Sequence, residues 1–317
     1  MRRVMHLDYD WIDPVDAVVR GAARDEVTRR DRTVHVVDET SLVVATEQGL
    51  ITTFDATGTS FDPSVFLGHP LRQGFRRRVR EVHTDDGSTL SLLLDDLSGA
   101  MVAAGYVHAM EWSTEAPEPT SEPAARPGHA PPPAAVDAQL RQVDLCSGWR
   151  ADGTMMVALR AGEPMRFNAV APVPTLPQGA DWPLVPIPVP GLRRHRRIDV
   201  RPAGDTWHVD AWFRDTYCNR GGETGALHEY TVDVVVDARD HTLLDVRATP
   251  HVLPWDECPA AADAVGQLVG QPVEDLRATV QKTLVGIECC THLNNELREL
   301  ADLPVMVERV GGEGPVA

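Results

Sequence analysis

The sequence predicts an α+β protein made of two similar halves, each an antiparallel sheet of three to four strands followed by helices packed on one face. Three observations carry that expectation. Runs of β-branched and alternating residues recur in two separate blocks. Between the blocks, residues 113–137 are dense in Pro, Ala and Glu and cannot sustain helix or sheet, because proline lacks an N–H and fixes φ. A Gly-x-Pro junction also stands at the same place in each block, as Leu67-Gly68-His69-Pro70-Leu71 and as Val269-Gly270-Gln271-Pro272-Val273.

In the first block, strands at Thr33–Val37, Ser41–Thr46 and Leu50–Asp55 lead to the first junction, a helix, and a second helix through Leu92–Met101. In the second, strands at Trp207–Phe213, Leu227–Val236 and Leu243–Thr249 lead to the other junction, a helix, and a last helix opened by Cys290-Thr291-His292-Leu293. The shared order points to a degenerate duplication in which Leu94 stands for Cys290 and Asp96 for His292. The predicted division is a degenerate repeat over 1–112, the linker over 113–137, a Pro-rich connecting segment over 138–192 that holds Cys146, and an α+β domain over 193–317. Pro172, Pro174, Pro177, Pro183, Pro186, Pro188 and Pro190 make the connecting segment an extended arm or a cover over a pocket. A hairpin is expected around Asp152-Gly153.

Composition excludes several classes. A net charge of −17 argues against nucleic-acid binding, which needs a basic surface. No apolar run approaches the ~18 residues of a membrane span, and the first residues turn acidic too soon for a secretory signal, so a cytoplasmic location is expected. The 5 cysteines are odd in number and irregularly spaced, unlike a disulfide framework. Gly-x-Gly-x-x-Gly, P-loop, Gly-x-Ser-x-Gly and His-Glu-x-x-His motifs are all missing, which disfavours nucleotide cofactors and the commonest hydrolase designs. The basic runs Arg76–Arg80 and Arg193–Arg197 read as solvated faces or as anion holders. In the second reading Arg194, Arg196 and Arg197 grip a small anionic substrate. Oligomeric state is not legible.

The candidate chemistry lies near the C-terminus. Pro259 suits a first helical position, which places Cys258 at an N-cap where the helix dipole lowers a thiol pKa, with Asp256 and Glu257 opposing. Cys290 and His292 open another helix, whose buried stripe is Leu293, Leu297 and Leu300. Cys289, pointing elsewhere, is core filler or a reserve ligand. Alternation sets His228 on the face of Tyr230, Val232, Val234 and Val236, with Glu229, Asp233 and Asp237 outward. A histidine there is a hydrogen-bonded core residue, a third ligand or a general base. Cys258 and His228 are therefore the catalytic candidates, and Cys258, Cys290, His292 and His228 the candidate ligands for zinc or iron. Asp215 is a lesser candidate.

The motifs Arg194-His195-Arg196-Arg197-Ile198-Asp199-Val200, Phe213-Arg214-Asp215-Thr216, His228-Glu229-Tyr230, Leu253-Pro254-Trp255-Asp256-Glu257-Cys258-Pro259 and Cys290-Thr291-His292-Leu293-Asn294 make the run Arg193–Leu303 resemble a bacterial domain-of-unknown-function family, number 2889. The N-terminal half and Cys146-Ser147-Gly148-Trp149 look like its longer actinobacterial form. The resemblance implies no established reaction. The layout is also similar to that of iron–sulfur scaffold proteins of the NifU type, which implies zinc or a cluster at the cysteines. The cysteine that family carries between early strands is missing, and Cys146 or His228 would substitute for it. Two functions stay open. One is a small-molecule enzyme of hydrolase, lyase or isomerase type. The other is a non-catalytic metal-binding or iron–sulfur scaffold-like protein.

Overall fold

Alternating apolar residues build eight antiparallel strands that join in one sheet of order β4-β3-β2-β1-β5-β6-β7-β8. The structure, a computed structural model, describes residues 1–13, 15–72, 74–111, 142–161 and 185–311. The strands are β1 (Arg2–Trp11), β2 (Ala17–Thr28), β3 (Val34–Glu47), β4 (Leu50–Thr57), β5 (Gly191–Ala203), β6 (Thr206–Cys218), β7 (Thr224–Asp237) and β8 (Leu243–Val252). Each consecutive quartet is a meander, and β1 pairs with β5 about a central His6–His195 pair. The fold is α+β, with one continuous sheet in place of the two the sequence suggests.

Seven α-helices are described: α1 (Phe75–Val82), α2 (Thr89–Glu111), α3 (Thr154–Arg160), α4 (Ala260–Asp263), α5 (Leu276–Thr283), α6 (Thr291–Glu299) and α7 (Leu303–Gly311). α2 packs over β1, β2 and β3 and touches α6, so helices from both halves meet above the sheet's centre. Two large apolar cores result, with a small third cluster of Met155, Trp255 and Cys258. One gathers Leu7, Val19, Phe66 and Leu93, and the other gathers Phe213, Val232, Leu276 and Leu297. The expected stripe Leu293, Leu297 and Leu300 is fully buried.

The two Gly-x-Pro junctions take the same form. Gly68 (φ 76°) donates to the Ile51 carbonyl at 2.8 Å, and the Ile51 N–H donates to the His69 carbonyl at 2.9 Å. Gly270 (φ 85°) donates to the Leu243 carbonyl at 2.8 Å, and the Leu243 N–H donates to the Gln271 carbonyl at 2.9 Å. Pro70 bridges to Leu50 and Pro272 to Thr242. Positive φ explains the glycine at each junction, since a Cβ disfavours that conformation.

Several expectations are corrected. β3 is a single strand where a break was expected between Val37 and Ser41. β1, β2 and β5 have no counterpart among the expected strands. They carry charge at inward positions: Arg3 bonds Asp25 at 2.8 Å and Asp302 at 2.7 Å, all three buried. Asp152-Gly153 leads into α3 and makes no hairpin. Glu229 does leave the His228 face, yet it is buried on the other side, accepting from Trp212 Nε1 at 2.9 Å and Arg214 at 2.6 Å. The linker 113–137 and Pro172, Pro174, Pro177 and Pro183 lie outside the described residues. No helix among the described residues is long and apolar enough to cross a membrane.

Candidate functional site: a cavity of thiols, indoles and stacked histidines

A cavity of about 410 Å³ opens where the turn before α3, the β8–α4 connection and the start of α6 converge on β7. Cys146, Cys258, Cys290, His228 and His292 all line it, as do Trp149 and Trp255. The 3₁₀ turn Ser147–Trp149 is fastened to the chain before α6, because the Ser147 N–H donates to the Cys289 carbonyl at 2.8 Å. Gly148 is required by close approach, since a Cβ there would sit 2.7 Å from Cys258 Sγ. Cys290 is the N-cap of α6, and its carbonyl accepts from the Asn294 N–H at 2.8 Å.

The histidines come from different elements. At Asp215/Thr216 the β6–β7 register shifts, and this bulge seats His228 opposite Asp215. One turn of α6 carries His292 down onto it. The rings stack with centroids 3.6 Å apart and planes 18° from parallel. His228 Nδ1 lies 3.5 Å from Asp215 Oδ2, and His292 Nδ1 lies 3.9 Å from Cys290 Sγ. His228 Nδ1, His292 Nε2 and Trp255 Nε1 are buried without a hydrogen-bond partner among the described residues. A buried polar atom in that state costs stability unless a ligand, ion or water meets it.

Behind the stack runs a chain of buried charge. Arg194 holds both Asp215 oxygens, at 2.7 and 2.9 Å, and reaches Asp96 at 3.1 Å. Asp96 also takes a paired contact from Arg196, which extends to Glu296, one turn beyond His292 on α6. Each of these five residues is at most 1% exposed. Burial opposes the charge of Asp215, but Arg194 outweighs it and holds the carboxyl far below the usual range. Burial, then neighbouring His228, keeps His292 neutral by lowering its pKa well below the usual value.

Two expectations about the site are overturned. Arg194 and Arg196 are committed to internal carboxylates, and Arg197 pairs with Asp199 and Asp210, so none is left to grip an anionic substrate. The Cys258 thiol is also not activated. Pro259, not Cys258, is the N-cap of α4, whose four residues make a weak dipole. Burial, then Cys290 and Cys146, push the Cys258 pKa up. Burial likewise raises Cys290 and takes Cys146 to about 12. Cys289 points elsewhere, its thiol 3.5 Å from the Leu145 carbonyl.

The cavity thus gathers Cys258, Cys290, His228 and His292, adds Cys146, and leaves Arg194, Arg196 and Arg197 behind or outside its wall. Asp96, Trp149 and Trp255 had no assigned place in the site. For Asp96 a signal existed: arginines two apart on one strand face demand buried carboxylates.

Residues 192–306 match the model of a family described as a protein of unknown function (DUF2889). The matched stretch runs from β5 into α7 and includes Arg194, Asp215, His228, Cys258, Cys290 and His292, while Asp96 and Cys146 lie outside it. A comparison with curated proteins finds no match.

Proposed function

We propose that the protein is an enzyme acting on a small molecule held in this cavity, by proton transfer between the substrate and the stacked pair His228 and His292. One observation carries the proposal: two imidazoles from separate elements, stacked at 3.6 Å, face a cavity of about 410 Å³ and are backed by an ionised carboxylate. Burial leaves His292 neutral but a weak base, so a proton moving onto the stacked pair depends on the adjacent Asp215 carboxylate to offset the charge. Cys258 and Cys290, protonated at rest, serve as proton donors or become nucleophiles only after losing a proton to an imidazole. The chemistry belongs with lyases, isomerases or hydrolases and calls on no nucleotide cofactor.

The proposal includes a degenerate duplication, supported by the matched hydrogen bonds at Gly68 and Gly270 and by the two meanders of the sheet. In it, the C-terminal half keeps the reactive groups. The N-terminal half and the Cys146–Trp149 turn, outside the matched residues, are features of a longer, actinobacterial form.

The test incubates the purified protein with a bacterial small-molecule extract in deuterated water and follows every compound by mass spectrometry. At least one compound should change or gain deuterium with wild type and not with His292→Ala or His228→Asn, both folded by circular dichroism. An extract left unaltered by wild type sinks the enzyme.

A second reading, metal or cluster binding as in NifU-type scaffolds, is favoured by donor proximity. Ligand-type atoms of Asp215, His228 and His292 lie within 4.8 Å of one another, with Cys258 and Cys290 on the same cavity. These donors suit zinc or iron in kind. Their arrangement suits it less: stacked rings aim their nitrogens side by side instead of at one point, and Arg194 occupies both Asp215 oxygens. Elemental analysis of anaerobically purified wild type beside Cys258→Ser decides it, since stoichiometric metal lost in the variant establishes the site.

A further inference from the structure

We infer that the cavity takes an uncharged, flat aromatic molecule bearing a hydroxyl, ether or carbonyl oxygen, seated against the indoles of Trp149 and Trp255. The inference rests on the cavity being the substrate site proposed above, and it names the class of that substrate.

Charge is the first criterion. Among the described residues that line the cavity there is no Arg, Lys, Asp or Glu. The nearest guanidiniums in the chain of buried charge, Arg194 and Arg196, are saturated by Asp215, Asp96 and Glu296. An anionic group entering this wall would lose its water and gain no counter-ion, which is strongly unfavourable. The overall charge of −17 also repels anions.

Shape and polarity supply the rest. Trp149 and Trp255 both line the cavity, and indoles are suited to stacking on another ring. Pro254 and Leu145 extend the apolar wall, and a cavity of about 410 Å³ falls within the range of small-ligand sites. Polar groups interrupt it, and two of their atoms are poised for a ligand. Trp255 Nε1 and His292 Nε2 are buried without a partner, on residues that are each 8% exposed. An indole N–H can only donate, so the ligand must supply an acceptor oxygen there. A hydroxyl or carbonyl on an aromatic ring meets that need and lies beside the histidines that would exchange its protons.

The experiment uses four probes on the full chain: 4-methoxyphenol, 4-methoxybenzoate, 4-methylcyclohexanol and benzyltrimethylammonium. Binding is read from the indole Nε1–H resonances in ¹H–¹⁵N spectra, with Trp255 assigned through Trp255→Phe. The expected result is a downfield shift of the Trp255 indole proton with 4-methoxyphenol, at an affinity at least about tenfold above each other probe. Trp255→Phe, which keeps the ring and removes the donor, should weaken binding by about threefold to tenfold. Equal or tighter binding of the carboxylate, the cation or the saturated alcohol overturns the inference, as does no response to 4-methoxyphenol up to its solubility limit. Conversion of a charged compound in the extract assay, with 4-methoxyphenol silent, removes the ligand class and leaves the enzyme standing. Bound 4-methoxyphenol with no compound altered does the reverse.

Discussion

At the centre of the sheet, two neighbouring strands present opposite chemistry on the face beneath the helices. β1 offers Met5 and Leu7, and directly across from them β5 offers Arg196 and Arg194. The helices repeat the contrast. α2 buries Leu92, Leu93, Leu94 and Leu97, whereas α6 buries His292, Asn295, Glu296 and Glu299 beside Leu293 and Leu297. At this centre the N-terminal strand and helix present mainly apolar side chains and the C-terminal ones mainly titratable side chains. Asp96 interrupts the leucine-rich stretch of α2 to bind the two arginines of β5, as Arg3 and Asp25 interrupt the apolar face of β1 and β2. Through Asp96, α2 fixes Arg194, which fixes Asp215, which faces His228.

Breaking that link should give a large effect. Asp96→Ala takes one carboxylate from each of two buried guanidiniums, leaving Arg194 with Asp215 and Arg196 with Glu296, and should cost roughly 3 kcal/mol, the low end for removing one partner from a buried ion pair. Urea unfolding measures it. A loss below about 1 kcal/mol would mean that the Asp96 contacts add little to the coupling that Arg3–Asp302 and Arg193–Asp8 also supply.

The next comparison sets Leu94 against Cys290, residues that the proposed duplication places in correspondence. Leu94 is fully buried in the first core, so Leu94→Ala should cost about 3 kcal/mol through the cavity it leaves. Cys290→Ala removes a smaller group and should cost about 1 kcal/mol while altering ligand binding. Equal costs would show that the two positions carry the same packing load.

Protonation separates the halves as well. Burial, reinforced by Asp95 and Asp302 against Arg277, raises the Glu299 carboxyl to about 8. A carboxyl raised in the folded state holds a proton that the unfolded chain releases above about pH 4.5. Its contribution is therefore complete below about pH 4.5 and is lost as pH rises toward about 8. Urea midpoints should fall across that window for wild type and much less for Glu299→Gln. Among the thiols, Cys258 alkylation near pH 8 should run at least tenfold slower than that of free cysteine, because each unit of raised pKa removes tenfold of the thiolate.

How far the sequence foretold this molecule depends on whether hydrophobic pattern and burial agree. β4, β6, β7 and β8 alternate apolar and polar residues and are read easily. β1 and β5 are not, because Arg3, Arg194 and Arg196 sit inward with carboxylates that arrive from remote positions: Asp25, Asp302, Asp96, Asp215 and Glu296. Cys258, Cys290, His228 and His292 stood out as unusual residue types, and tertiary packing brings them to one cavity. The direction of the thiol shift did not follow, since it depends on burial and on where α4 begins. The contacts of Trp149 and Trp255 were hidden for the same reason: the 3₁₀ turn that aligns them is tied to Cys289 across 142 residues of sequence.

The smallest expected effect tests the likeness of the halves most directly. Gly68 and Gly270 both hold positive φ, and a Cβ on either would meet nothing within 4 Å. Conformational strain is then the whole cost, so Gly68→Ala and Gly270→Ala should each lose roughly 1 kcal/mol, and by nearly the same amount. Thermal unfolding of both variants beside wild type measures this. A large cost at Gly270 with none at Gly68 would show that the C-terminal junction carries a load its counterpart does not, and the two turns would then share a shape without sharing a role.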